Sequence, residues 1–156
     1  SGTNSLKQSE IENKIQKACK VSHRERSSVE LIVVSKRQPN ERVKAALDNG
    51  FRSFGENQIQ EARERWKSFK PIYPDLELHL IGALQSNKAA DAVRLFDVIH
   101  TIDRDKIAKA VSVEMKKQNK QLSCFIQVNT GLNLRNQELP QKKQLSLHKS
   151  ALMIMA

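Results

Sequence analysis

Short apolar runs rich in β-branched residues recur along this chain at intervals of roughly twenty to twenty-six residues, and each is followed by a stretch with helical periodicity. The first run, Val29-Glu30-Leu31-Ile32-Val33-Val34-Ser35, ends at Lys36. Pro39 and Asn40 then open a helix whose inner face is Val43, Ala46 and Leu47, and Gly50 closes it just beyond the C-cap. The same grammar repeats. Phe51 to Phe54 runs into Gly55-Glu56-Asn57 and a helix marked by Ile59, Ala62 and Trp66. Leu76 to Ile81 enters Gly82-Ala83-Leu84-Gln85-Ser86-Asn87, with Ser86 placed to cap a helix carrying Ala89, Ala92, Val93 and Phe96. Val98 to Ile102 leads through Asp103 into a helix with Ile107, Ala110, Val111 and Met115, and Leu122 to Val128 finishes at Asn129-Thr130-Gly131. Ahead of all this, residues 4 to 20 read as a helix with Ser9 and Glu12 at capping-box spacing.

Strands joined through helices must lie parallel, because a parallel pair needs a long crossover where an antiparallel pair needs only a hairpin. A parallel sheet brings the carboxyl ends of its strands together. Here those ends carry Lys36, Glu56-Asn57, Gln85-Asn87, Asp103 and Asn129, so the polar groups gather on one rim. The expectation is an α/β fold of the (β/α)8 TIM-barrel type, whose active sites occupy that rim. A doubly wound open sheet is the main competitor, disfavoured because no glycine-rich dinucleotide fingerprint follows the first strand.

A lysine at such a rim is chemically useful when it can lose its charge, which removal from water favours. A neutral lysine condenses with aldehydes, and the commonest aldehyde cofactor is pyridoxal 5'-phosphate, PLP. Lys36 is therefore a candidate cofactor lysine. The alternative is a stem packed along the strand with its ammonium in solvent.

Composition narrows the remaining classes. A chain of 156 residues builds one ordinary core. No window has the apolar length of a membrane helix and no signal core begins the chain, so a soluble cytoplasmic protein is expected. Cys19 and Cys124 are the only cysteines and lack metal-ligand spacing, which points to a reducing compartment and no metal. The net charge of +10 is spread among glutamates with few aromatics, so a solvated surface is expected and nucleic-acid binding is not.

Val33-Val34-Ser35-Lys36, Phe54-Gly55-Glu56-Asn57 with Gln60-Glu61, His79-Leu80-Ile81-Gly82 leading to Leu84-Gln85-Ser86-Asn87-Lys88, His100-Thr101-Ile102-Asp103 and Ile126-Gln127-Val128-Asn129 follow one another in that order. Together they resemble the YggS/PROSC family of PLP homeostasis proteins, whose fold is like the barrel domain of alanine racemase, fold type III among PLP proteins. The resemblance implies that Lys36 holds PLP as an internal aldimine. It also implies a non-catalytic role in keeping the cofactor in safe supply. Asn57 would contact the cofactor's ring oxygen or position Lys36, or else cap the following helix. His79 would touch the ring or serve as a satisfied core histidine, and Gly82 would permit close backbone approach or serve a tight turn. A PLP-dependent amino-acid racemase is the alternative function. That chemistry needs a second acid–base residue, and Tyr73, between Pro71 and Pro74, does not suit.

The resemblance covers about residues 4 to 131. From residue 132 to 156 the rhythm stops, and the family's Ser-Met-Gly-Met-Ser type loop and Arg-Ile-Gly-Thr type strand end, which receive the PLP phosphate, are absent. Back-translating from Gly131 with permitted codons and reading from the sixth base gives Glu-Pro-Glu-Lys-Ser-Gly-Ile-Ala-Pro-Lys, a family-like continuation. The expectation is that residues 1–131 are the first part of a PLP-binding barrel and residues 132–156 a frameshifted, non-family tail. A partial barrel of about five strands would leave its first and fifth strands as open edges that invite self-association, and the tail would add an improvised helix. Impaired cofactor binding follows from the missing phosphate loops.

Overall fold

The computed structural model describes residues 8–102, 105–126 and 150–155. Helix α1 (Gln8–Val21) leads into strand β1 (Val29–Val34), and four further units follow: α2 (Asn40–Asp48), β2 (Ser53–Glu56), α3 (Ile59–Phe69), β3 (Glu77–Leu80), α4 (Ala89–Leu95), β4 (Val98–Ile102), α5 (Asp105–Lys117) and β5 (Ser123–Ile126). A last strand, β6, spans Ser150–Met155. All the paired strands are parallel, in the order β5-β4-β3-β2-β1-β6.

That order is the consequence of the alternation read from the sequence. The first five strands are laid down one after another in a single direction, as in a barrel wall, without the reversal that defines a doubly wound sheet. The fold is an α/β partial barrel. Val33, Phe54, Leu78, Leu80 and Ile99 turn to the helices and form one core with Val43, Leu47, Trp66, Phe96, Ile107 and Val111. Trp66 sits at its centre, fully buried, with its ring 4.9 Å from Phe54 and 5.7 Å from Phe69. Alternation along the strands sends Glu30, Ile32 and Val34 of β1 to the opposite face.

Several local expectations are corrected. β1 is not an edge: it pairs with β6 over six residues, from Val29 opposite Ser150 to Val34 opposite Met155. The described part of the tail is thus a strand, not a helix, and it fills the place beside β1 that a barrel gives to its closing strand. The Ser9–Glu12 capping box is not made. Ser9 lies within α1, and the Glu12 carboxylate instead accepts hydrogen bonds from Arg26 at 2.6 and 2.9 Å, tying α1 to the turn before β1. Ser86 does not cap α4; it begins a short 3-10 turn, Ser86–Lys88, that precedes the helix. Gly50 does close α2, with a φ of +95° that favours glycine. Asp103 and Asn129 lie outside the described residues.

Candidate functional site

The carboxyl ends of β1, β2 and β3 are level. Val34 pairs with Gly55 and Gly55 with His79, and the ladder runs past the strand ends through Ser35 N–H to the Gly55 carbonyl at 3.0 Å and Ile81 N–H to the Glu56 carbonyl at 2.9 Å. Lys36, Asn57 and Gly82 therefore emerge from adjacent strands at one height. Lys36 is half-buried in the turn after β1, and no hydrogen bond or ion pair joins its amine to another described residue. Lys36 itself lies in the turn beyond β1, next to Arg37 with its φ of +58°. Gly82 packs so closely on the β2–α3 loop that a Cβ there would meet the Asn57 carbonyl oxygen at 2.4 Å. The glycine thus serves close backbone approach, and its neighbour is Asn57. Asn57 does not cap α3, whose N-cap is Gln58 without a side-chain cap bond; it lines a 340 Å³ cleft with Gln85 and Lys88.

Beneath the Lys36 turn is a buried polar network that the sequence reading missed. Ser35, Glu56 and Arg65 are 0, 0 and 6 % exposed. Ser35 Oγ donates to Glu56 Oε1, and Arg65 Nη1 donates to the same carboxylate oxygen at 2.5 Å and to the Ser35 carbonyl. Arg65 Nη2 donates to the Gln38 carbonyl and to Glu61 Oε1 at 3.2 Å, while Nε donates to Asn40 Oδ1 at 3.0 Å. Glu61 Oε1 also accepts from the Arg37 N–H at 2.7 Å. Burial raises the Glu56 carboxyl above its usual range, against the pull of the Ser35 hydroxyl and the Arg65 guanidinium. A signal for this network existed. Ala62, Arg65, Trp66 and Phe69 are the buried positions of α3, an i, i+3, i+4, i+7 stripe in which one core slot holds a cation.

His79 lies lower, within β3, and is fully buried. Its Nε2 is 2.8 Å from Glu77 Oε1 and 3.3 Å from Glu30 Oε1, and its Nδ1 is 2.8 Å from His100 Nε2. Burial works to lower the His79 pKa, but hydrogen bonds to Glu30 and Glu77 prevail and the net shift is upward. His100 is pushed down to about 4 by burial and by the charge of His79. A protonated His79 therefore donates to both sides: to carboxylate at Nε2 and to a neutral His100 at Nδ1. Glu30, Glu77 and His79 present ligand atoms within 4.8 Å of one another, an arrangement a metal could use and one that also pairs the histidine with both carboxylates. Both ring nitrogens of His79 are thus committed to partners below the rim.

Residues 7–141 match the alanine racemase N-terminal domain family. The chain belongs to that family, on its YggS/PROSC, PLP homeostasis branch. It is 42 % identical over 123 residues to the pyridoxal phosphate homeostasis protein of Vibrio cholerae, covering 78 % of this chain and 52 % of the relative. With the Haemophilus influenzae protein of the same name it shares 34 % over 139 residues, covering 89 % of this chain and 59 % of the relative. The chain therefore spans about half the length of the curated relatives it matches. Among solved structures it resembles PipY of Synechococcus elongatus with PLP bound, at 31 % identity and a TM-score of 0.65, covering 89 % of this chain and 66 % of that one. Among the described residues no helix is long and apolar enough to cross a membrane.

Proposed function

We propose that this chain binds PLP through Lys36, with an affinity impaired by the missing phosphate-binding loops, and that it belongs to PLP homeostasis as a cofactor reserve, without a turnover of its own. PLP, when bound, supplies an aldehyde that is reactive toward amines. The donor set suits that group. Lys36 stands just past the end of β1 with no described partner to compete for its amine, and Asn57 follows the end of the neighbouring β2. Gly82 lies close against the Asn57 backbone, and His79 is bound to His100 lower in the sheet. The position of Lys36 carries the reading, supported by a PipY structure of the same fold that holds PLP.

A half-buried amine at a rim can retain an aldehyde and limit its contact with other amines, which is what storage requires. The racemase alternative needs a second acid–base group at the rim. Tyr73 follows α3 at the other end of the strands, where its hydroxyl bonds Asp48 Oδ1 at 3.1 Å. It does not serve.

The test is borohydride reduction of the chain with added PLP, followed by peptide mapping. Label concentrated on Lys36, with no turnover of D- or L-amino acids, is the expected result. Label spread over surface lysines with none at Lys36 refutes the assignment. For residues 132–156, the proposed shift of reading frame is tested by the coding DNA: restoring one base near the Leu132 codon should open a longer family-like frame.

A further inference from the structure

We propose that Arg65, seated on Glu56 and assisted by Glu61, is the positioning residue for Lys36, and that it acts by fixing the backbone of residues 35–40 from beneath. The inference rests on Lys36 being the residue that takes the aldehyde.

A lysine side chain has four rotatable bonds. The part of it that a fold can preset is therefore the Cα position and the Cα–Cβ direction, and both are properties of the local backbone. On either side of Lys36 that backbone is held by α3. The Ser35 and Gln38 carbonyls accept from the two terminal nitrogens of Arg65, the Asn40 side chain accepts from its Nε, and the Arg37 N–H donates to Glu61. Arg37 has a φ of +58°, the left-handed region that a side chain other than glycine enters at a cost, so the turn is held there by its surroundings. A turn at the end of a strand ordinarily leaves its carbonyls to water. Here they are bound by a buried cation whose charge is balanced one layer deeper by Glu56.

The pattern is more specific than stability requires. A buried ion pair recovers little net stability over well-packed apolar residues, so its effect is best sought in the geometry it enforces. All the acceptors outside α3 and Glu56 lie within four residues of Lys36, and none is on the far side of the core. Arg65 thus links the strand that carries the amine, the strand that carries Asn57 and the helix between their ends and β3.

The experiment compares the full chain with Arg65→Lys and Glu61→Ala. Arg65→Lys keeps the charge opposite Glu56 but cannot reproduce the three-way fork. Glu61→Ala removes only the bond to the Arg37 N–H and one contact of the guanidinium. Each protein is reduced with borohydride over a range of PLP concentrations, and label is quantified at Lys36 and at Lys67, an exposed lysine on α3 that serves as the internal reference. Urea unfolding and amide hydrogen exchange over residues 35–40 are measured on the same samples. The expected result is a rise of about tenfold in the PLP concentration needed to half-label Lys36 in Arg65→Lys, and a few-fold rise in Glu61→Ala. Exchange over the turn should be faster, with Lys67 labelling unchanged and the unfolding midpoint of Glu61→Ala near that of the parent. If the parent labels at Lys36 and both variants match it, the positioning role is overturned while the PLP assignment stands. If the parent does not label at Lys36, the assignment itself fails and the positioning role falls with it.

Discussion

Among the described residues two buried charge clusters sit on this sheet, and they are built for different tasks. The one around Arg65 lies on the helix side at the carboxyl end of the strands and is centred on a guanidinium paired with the buried Glu56 carboxylate. The one around His79 lies on the opposite face, lower in the strands, and is centred on a proton that can leave. The first fixes a backbone; the second ties together side chains from β1, β3 and β4.

The largest expected effect separates the two clusters most sharply. Arg65→Met leaves Glu56 buried without its counter-charge and should cost about 3–5 kcal/mol in urea unfolding. A cost no greater than that of Glu77→Gln would erase the distinction. Gly82→Ala comes next. Its Cβ would collide with backbone of Asn57 that cannot give way like a flexible side-chain end, so a loss of ~1–3 kcal/mol and displaced Asn57 amide resonances are expected. Glu77→Gln acts on a carboxylate that is 44 % exposed, and water makes good much of what is lost, so a change of ~1 kcal/mol or less is expected. Its clearer readout is the His79 titration followed by NMR, whose midpoint should fall toward 6.5.

In the parent chain the same titration should show His79 losing its proton above its ordinary value of 6.5 and His100 near 4. The signs then set the stability profile. A raised His79 contributes fully below pH 6.5 and loses its contribution as pH rises through its folded value. A depressed His100 contributes fully above pH 6.5 and loses its contribution as pH falls toward 4. Their joint contribution should therefore peak near pH 6.5, and substituting both histidines should flatten that peak while Arg65→Lys leaves it in place.

The strand–helix alternation made the sheet and its order readable, because parallel strands with helical crossovers admit few arrangements. Lys36, Asn57 and Gly82 could be placed together from the same reasoning, since each follows its strand at once. Arg65 could not be found by asking which polar residues end strands. It lies mid-helix, and only the spacing of Ala62, Trp66 and Phe69 marks its position as an inward one. The described tail strand was misread because a short apolar run such as Leu152-Met153-Ile154 has no periodicity that separates strand from buried helix, and its partner β1 is remote in sequence. Ser9 and Ser86 show the limit of capping signals: a serine at the right spacing is a cap only where the helix in fact begins.

The pairing of β1 with β6 has a consequence for the order in which the molecule comes together. Val33 meets Phe54 across 21 positions of sequence but Ile154 across 121. Contacts of short separation close quickly and those of long separation late. The turn that bears the amine and the helix that grips it thus draw their contacts from one local stretch, whereas pairing with the distant strand must close a loop several times longer.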